Sequence, residues 1–201
     1  MGKIMTSASM SLDGYISGPM GTGFEHLFAW YGNGDTEVPT AQPDRTFRLG
    51  AASAAHFSRV LASTGALVVG RNLFDWTDGW GGTHPLGTPV VVLSHRPPPD
   101  WVVEGEPFTF MDADIRTAVE RARELAGGRD VAVNSGTVAR QCLDAGLLDE
   151  VWIDLVPVVL GAGVPFFPDL ATAPVELDGP TVVVEGDRVT HMRYGVRGRS
   201  D

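Results

Sequence analysis

Three short apolar runs in this sequence end in residues fit to hold an anion. Val131 to Val133 stops at Asn134-Ser135-Gly136-Thr137, residue types that favour turns and helix caps over a continued strand. The first N–H groups of a helix have no internal partner and carry partial positive charge, so a helix opening there offers donors to a phosphate. The hydroxyls of Ser135 and Thr137 add to them. Ala66 to Val69 runs into Gly70-Arg71-Asn72, and Pro89 to Leu93 runs into Ser94-His95-Arg96. Guanidinium groups at strand ends can grip a phosphate bidentately, at the edge where open α/β sheets place ligands. Taken singly, each set has a plainer reading as a capped helix or as surface charge. Their repeated position after strands favours a ligand.

The elements that position these residues follow from periodicity. After the 134–137 turn, Val138, Cys142 and Leu143 share a helical face that Gly146 closes, and Val151, Ile153 and Leu155 then alternate with Trp152, Asp154 and Val156. Lys3 to Met10 reads as a first strand. Ser11 to Gly18 reads as a turn into a short extended piece, with Asp13 expected to close a turn on its own backbone. A helix is predicted over Leu49 to Leu61, ended by Gly65, with Ala51, Ala54, Ala55, Phe57 and Leu61 inward. Phe108 to Met111 reads as an edge strand, followed by a helix capped by Asp112 that buries Ile115, Ala118, Val119, Ala122 and Leu125. Val182 to Glu185 and Arg188 to Val196 form a hairpin about Gly186-Asp187. The sum is an α/β fold of three layers, with a mostly parallel central sheet, helices on both faces and an antiparallel C-terminal hairpin.

Residues 18–47 break this regularity with several glycines and the aromatics Phe24, Phe28, Trp30 and Tyr31. Loops of this length in compact domains are commonly functional. The aromatics serve either as walls for a planar ligand or as a plug against the body. Trp30, Trp76 and Trp80 are candidates for such a wall, with ordinary packing as the alternative.

The 201 residues fit one domain, spanning 1–201. A formal charge of -10 argues against nucleic acid or an anionic membrane as a partner, so an anionic ligand must be held by local donors. The single cysteine, Cys142, allows no internal disulfide and no cysteine-based zinc site, and no metal is expected. With no run of about 20 apolar residues, the protein is expected to be cytoplasmic.

The segments Ser11-Leu12-Asp13-Gly14-Tyr15-Ile16, Gly70-Arg71-Asn72-Leu73-Phe74-Asp75, Val92-Leu93-Ser94-His95-Arg96, Gly146-Leu147-Leu148-Asp149-Glu150-Val151 and Pro157-Val158-Val159-Leu160-Gly161-Ala162-Gly163 occur in that order. This series resembles the stand-alone relatives of the riboflavin-biosynthesis reductase domain, the bifunctional deaminase-reductase C-terminal family with a dihydrofolate reductase-like fold. The resemblance implies an NADPH-dependent oxidoreductase, either a 5-amino-6-(5-phosphoribosylamino)uracil reductase or a dihydrofolate reductase-like enzyme, and a homodimer. It implies that Ala8, Ile16 and their neighbours contact the nicotinamide, and that Ser135, Gly136, Thr137 and Val138 lie at the pyrophosphate. Gly70, Arg71, Asn72, Ser94, His95 and Arg96 are then expected around the 2′-phosphate. Asp13, Trp30 and Trp80 are the weaker candidates for substrate contact. Relatives carry a Gly-Gly pair where this chain has Asn134-Ser135, and no residue aligns with the proton-donating carboxylate of dihydrofolate reductases. Gly136 is expected to tolerate a side chain least, because a Cβ there would enter the phosphate's space. The reading is hydride transfer from NADPH to a small heterocycle; the alternatives are a non-catalytic nucleotide-binding protein of the same fold and a flavin-binding relative.

Overall fold

β-Branched runs separated by helical stretches require crossover connections, and the computed structural model, which describes residues 2–103 and 107–198, shows them laid into one large sheet. In chain order the elements are β1 (Ile4–Ser11), β2 (Tyr15–Ser17), α1 (Phe24–Leu27), β3 (Thr36–Pro39), β4 (Thr46–Leu49) and α2 (Ala51–Ser63). β5 (Thr64–Gly70), α3 (Arg71–Trp76), β6 (Val90–Leu93), β7 (Phe108–Met111), α4 (Ile115–Ala126), β8 (Asp130–Asn134) and α5 (Thr137–Asp144) follow. β9 (Glu150–Val156), β10 (Val164–Pro165), β11 (Leu177–Gly186) and β12 (Val189–Val196) complete the chain. The eight-stranded sheet has the order β11-β12-β9-β1-β8-β5-β6-β7. β9, β1, β8, β5, β6 and β7 are mutually parallel; β12 pairs antiparallel with β9, and β11 pairs antiparallel with β12 at the sheet edge.

Burial on both faces explains why the central strands are apolar throughout. On one face α4 and α5 cover Ile4, Ala66, Val68, Val91, Val131 and Val133. On the other, Met5, Leu67, Val69, Val90 and Ala132 form a core with Phe74 of α3 and Phe108. Cys142 lies within the first core, and burial pushes its thiol up to about 12, so it packs as an apolar side chain.

Several boundaries differ from the sequence expectation. The cap of α4 is Asp114, which accepts from Thr117 N at 2.9 Å, and not Asp112, whose carboxylate faces His95. α2 runs to Ser63, with Gly65 inside β5, and its inward face carries Ser53 and His56 in place of the exposed Ala51 and Ala55. β11 starts at Leu177, and the hairpin turn is Asp187-Arg188, with Arg188 at φ 55.

The 18–47 stretch carries more structure than its composition announces. It holds α1, a short 3₁₀ turn at Ala29–Gly32 and the hairpin β3–β4. Trp30 is 1% exposed; its Nε1 donates to Ser9 Oγ at 3.0 Å, and its ring packs on Phe57 and His191. Leu27 and Leu49 are also fully buried. This part of the segment is therefore a plug in a third apolar cluster with Val156 and Val189. Trp30→Ala is expected to destabilise the protein by about 3 to 5 kcal/mol in urea unfolding, the range for a large aromatic lost from a core. A change below about 1 kcal/mol would mean the plug does not hold the body.

Candidate functional site

The direction of two crossovers sets the position of the site. From β5 the chain passes through α3 to β6 on one side, whereas from β8 it passes through α5 to β9 on the other. α3 and α5 pack on opposite faces of the sheet, so a crevice opens between the carboxyl ends of β5 and β8. Asn134 spans it. Its Oδ1 accepts from Gly70 N at 3.2 Å while its Nδ2 donates to Ser135 O at 2.8 Å, which ties the last residues of the two strands together.

On one bank stands the first turn of α5. The first bond within that helix runs from Arg140 N to Gly136 O, 2.9 Å, so the N–H groups of Thr137, Val138 and Ala139 precede the helical ladder. Gly136 N itself donates to Phe166 O at 2.9 Å and is committed to the fold. Gly136 has φ 81 and ψ -135, a conformation that L side chains rarely adopt, so a substitution strains the backbone directly. A Cβ there would approach Ile16 Cδ1 and Val164 Cγ1 at 3.6 and 3.7 Å, which places Ile16 beside the turn and replaces the expected clash with a phosphate. Ser135 turns inward, its Oγ 3.1 Å from Thr6 Oγ1. The Val138 side chain is buried against Gly70, where a Cβ would lie 3.5 Å from its Cγ2, and so packs between the two strand ends.

The other bank gathers the strand-end cations. Arg71 Nε donates to Asp75 Oδ1 at 2.6 Å, and Arg96 Nη2 donates to Asp75 Oδ2 at 2.9 Å, so one carboxylate holds two guanidinium groups together. Arg71 Nη1 also donates to Pro97 O at 2.7 Å and lies 3.4 Å from Ser94 Oγ, with the guanidinium over the Phe110 ring. Asp75 carried no signal in the sequence beyond its spacing of four from Arg71. Two cations share one anion here, so a net positive charge remains for a ligand. His95 projects into solvent, paired with Asp112 at 2.5 Å. Asn72 is exposed on the first turn of α3.

Ala8 lies on β1, next to the crevice strand β8. Asp13 does more than interact with its own backbone: it accepts from Ser11 Oγ at 2.6 Å, Leu160 N at 3.1 Å and Gly161 N at 2.7 Å, and so fastens the 160–161 loop to the β1–β2 turn. Trp30 is in the core, and Trp80 packs among Phe74, His84 and Phe108. Of the three candidate tryptophans, Trp76 stands open, 54% exposed, against the loop at Gly21 and Phe24. Surface depressions of about 340 Å³ between β3 and α2 and about 250 Å³ beside β12 lie apart from the crevice.

A polar cluster beneath α2 was missed in the sequence. His191 is fully buried, with Nδ1 2.6 Å from Asp154 Oδ1 and Nε2 2.9 Å from Ser53 Oγ. His56 stacks on it at 4.4 Å, and burial together with His191 pushes His56 down to about 4. The alternation of β9 and β12 did assign Asp154 and His191 to definite faces. It could not show that both faces meet Ser53 and His56.

The sequence matches the RibD C-terminal domain over residues 2–183. The chain belongs to this family. Among curated proteins none matches it. A crystal structure from Shewanella sp. PV-4, described as a riboflavin biosynthesis protein, superposes with a TM-score of 0.69 at 20% identity, covering 97% of this chain and 99% of that one. RibD of Acinetobacter baumannii gives 0.62 at 16% identity, with 98% of this chain matched to 58% of that protein. Dihydrofolate reductase from Enterococcus faecalis, complexed with NADP(H) and RAB-propyl, gives 0.53 at 16% identity over 97% and 96% of the two chains. The RibD C-terminal family and these neighbours agree on a reductase-like α/β fold. Among the described residues no helix is long and apolar enough to cross a membrane.

The Asp13 clasp predicts a pH signature. The Ser11 hydroxyl is the largest influence and holds the Asp13 carboxyl below its usual range; desolvation, next in size, opposes it, and the Leu160, Gly161 and Asp13 N–H groups lower it further. A group whose folded pKa is depressed adds stability above its unfolded value, about 3.9, and loses it as pH falls through the folded value. The stability difference between wild type and Asp13→Asn, from urea unfolding at a series of pH values, is therefore expected to be constant near neutrality and to shrink below about pH 4. A difference independent of pH down to the acid limit would contradict the clasp.

Proposed function

We propose that the chain is an NADPH-dependent reductase that passes hydride to a small planar heterocycle of the pteridine-like or ribosylaminopyrimidine class, working as a single cytoplasmic domain over residues 1–201. One observation carries this reading: the β5–β8 crevice has paired arginines on one bank and the leading N–H groups of α5 on the other. A dinucleotide with an extra phosphate has anionic groups at two separated points. The crevice offers donors at two separated points.

The donor set fits the cofactor. Gly136 brings backbone to the crevice without a side chain, and the leading N–H groups of Thr137 and Val138 suit the pyrophosphate. Of the pair that departs from the relatives' glycines, Ser135 points at Thr6 and Asn134 is committed to Gly70 N and Ser135 O, so both side chains are held by the fold. Arg71, Arg96 and Ser94 suit the 2′-phosphate, with Gly70 and Asn72 at the same strand end, and His95 joins them by turning from Asp112. Ala8 and Ile16 serve the nicotinamide end. Bound there, NADPH would supply the hydride, and the chain orients the reactants and excludes water. Trp76, open beside the 18–24 loop, is the aromatic wall for the planar substrate. A homodimer is part of the reading, and Leu12, Val159 and Val183 give the β9–β12–β11 end exposed apolar surface for it.

NADPH is expected to bind more tightly than NADH, and Arg71→Ala to weaken NADPH about ten- to a hundredfold while barely changing NADH, as befits one charge-assisted hydrogen bond of about 1.5 to 3 kcal/mol. Fluorescence titration of both cofactors checks this. Equal affinities in the wild type would remove the 2′-phosphate assignment.

The 18–47 segment is expected to act as a lid only over its first part. Met20 is 96% exposed, while Leu27 and Trp30 are already in the core. In hydrogen exchange, amides at 18–24 should gain protection when cofactor and a heterocycle are added, and those at 27–31 should be protected throughout. Protection at 18–24 that does not change with ligands would make the whole segment a static plug.

A further inference from the structure

The buried cluster of Ser53, His56, Asp154 and His191 has the parts of three devices, and its geometry decides among them. A serine, a histidine and a carboxylate in hydrogen-bonded sequence are the components of a nucleophilic triad. Here Ser53 is 2% exposed, and Gly186 packs over it so closely that a Cβ at Gly186 would sit 2.2 Å from the Ser53 Oγ. No substrate carbonyl can approach that oxygen.

The second device is a metal centre. The ligand atoms of His56, Asp154 and His191 all lie within 4.8 Å of one another. The two imidazole planes, however, are stacked at 4.4 Å with an interplanar angle of 18°, so their lone pairs run side by side and do not converge. The Asp154 Oδ1 to His191 Nδ1 contact of 2.6 Å is also too short for an ion bonded to both at about 2 Å in a tetrahedral angle.

The third device is a supported acid. His191 is held between Asp154 Oδ1, 2.6 Å from Nδ1, and Ser53 Oγ, 2.9 Å from Nε2, which fixes the orientation of the ring. Asp154 Oδ2 has no hydrogen-bond partner among the described residues, and the side chain is 15% exposed. Strand register places Asp154 directly across from Ser9, the residue after Ala8. The carboxyl therefore sits on the face covered by α2, one strand from the Ala8 backbone, while the Ala8 and Ile16 side chains pack on the opposite face.

We propose that Asp154 is the acid that protonates the substrate, with His191 and Ser53 as its positioning residues. This rests on the reductase reading and supplies the proton that reading requires. Reduction of a ring C=N bond adds hydride to carbon and leaves an electron pair on nitrogen. The Asp154 Oδ2–H bond breaks, the N–H bond forms, and the carboxylate left behind is held by the Nδ1–H of His191. The proton is replaced from solvent at the partly exposed carboxyl. The titratable groups that act on Asp154 are His56 from α2, His191 from β12 and Tyr31 from the 18–47 segment, and Arg59 and Arg193 reach His56. Asp154 is the acid among them.

The test uses pterin, a 2-amino-4-oxopteridine, as a fluorescent probe against the protein alone and against the protein saturated with NADP⁺. In wild type the pterin dissociation constant is expected to depend on the protonation of one protein group. Asp154→Asn is expected to abolish that dependence and weaken pterin at least tenfold, with the NADP⁺ affinity within twofold of wild type. His191→Gln is expected to move the midpoint of the pH dependence without removing it, which a merely structural role would not do. On wild-type protein, the Asp154 carboxyl carbon should shift on pterin addition by ¹³C NMR, a measurement that needs no folded variant. Pterin that binds neither form, an unmoved carboxyl resonance, or unchanged pterin binding by Asp154→Asn would overturn the proposal. Failure of NADP⁺ to bind, with pterin still responding to Asp154, would count against the cofactor reading and leave the acid standing.

Discussion

The structure depends on one constraint, the divergence of two neighbouring parallel strands at their carboxyl ends. A parallel pair whose crossovers leave in opposite directions cannot have its end covered by its own connections. β5 and β8 are that pair. The crevice they leave has backbone donors from α5 on one side and strand-end side chains on the other. Asn134 bridges the gap through Gly70 N and Ser135 O, and so fixes the relative position of the two banks. On the proposed reading, this local arrangement is how an acidic chain would hold an anion. The net charge of -10 opposes an anionic ligand at long range, and only oriented donors at short range overcome it.

The arginine bank shows how charge is kept ready. A guanidinium left to solvent samples many rotamers, and ordering it opposes binding. Asp75 holds Arg71 and Arg96 together before any ligand arrives. The arrangement is a clasp with one anion and two cations, and on the proposed reading a phosphate would complete it by taking the donors that Asp75 leaves over. On the other face, the same economy of contacts makes Trp30 both a core residue and a support for Ser9, beside the strand that borders the crevice.

Much of this was legible from local pattern. The parallel strands, the helix after Gly136 and the grouping of Arg71 with Ser94 and Arg96 follow from runs that end in the same kind of residue. What escaped the sequence shares one physical reason, which is that long-range partners outweigh local preference. Asp13 has the form of a self-contained turn, yet its carboxylate is claimed by N–H groups of residues 160 and 161. Ala51 and Ala55 look like the inner face of α2, yet Ser53 and His56 turn inward because Asp154 and His191 await them from strands far along the chain. An aromatic-rich segment between 18 and 47 has no regular period, and its order comes from the cavity that Trp30 and Leu27 fill.

The central claim is that the crevice holds the phosphates of an NADP-type dinucleotide at both banks at once. ³¹P NMR of NADP⁺ during addition of the protein tests it most directly, because the 2′-phosphate and the pyrophosphate report separately. The account predicts that both signals move, and that the 2′-phosphate, gripped by Arg71 and Arg96, ceases to titrate near its free value of about pH 6. Signals that stay at their free positions, or a pyrophosphate that moves while the 2′-phosphate still titrates as in free NADP⁺, would contradict it.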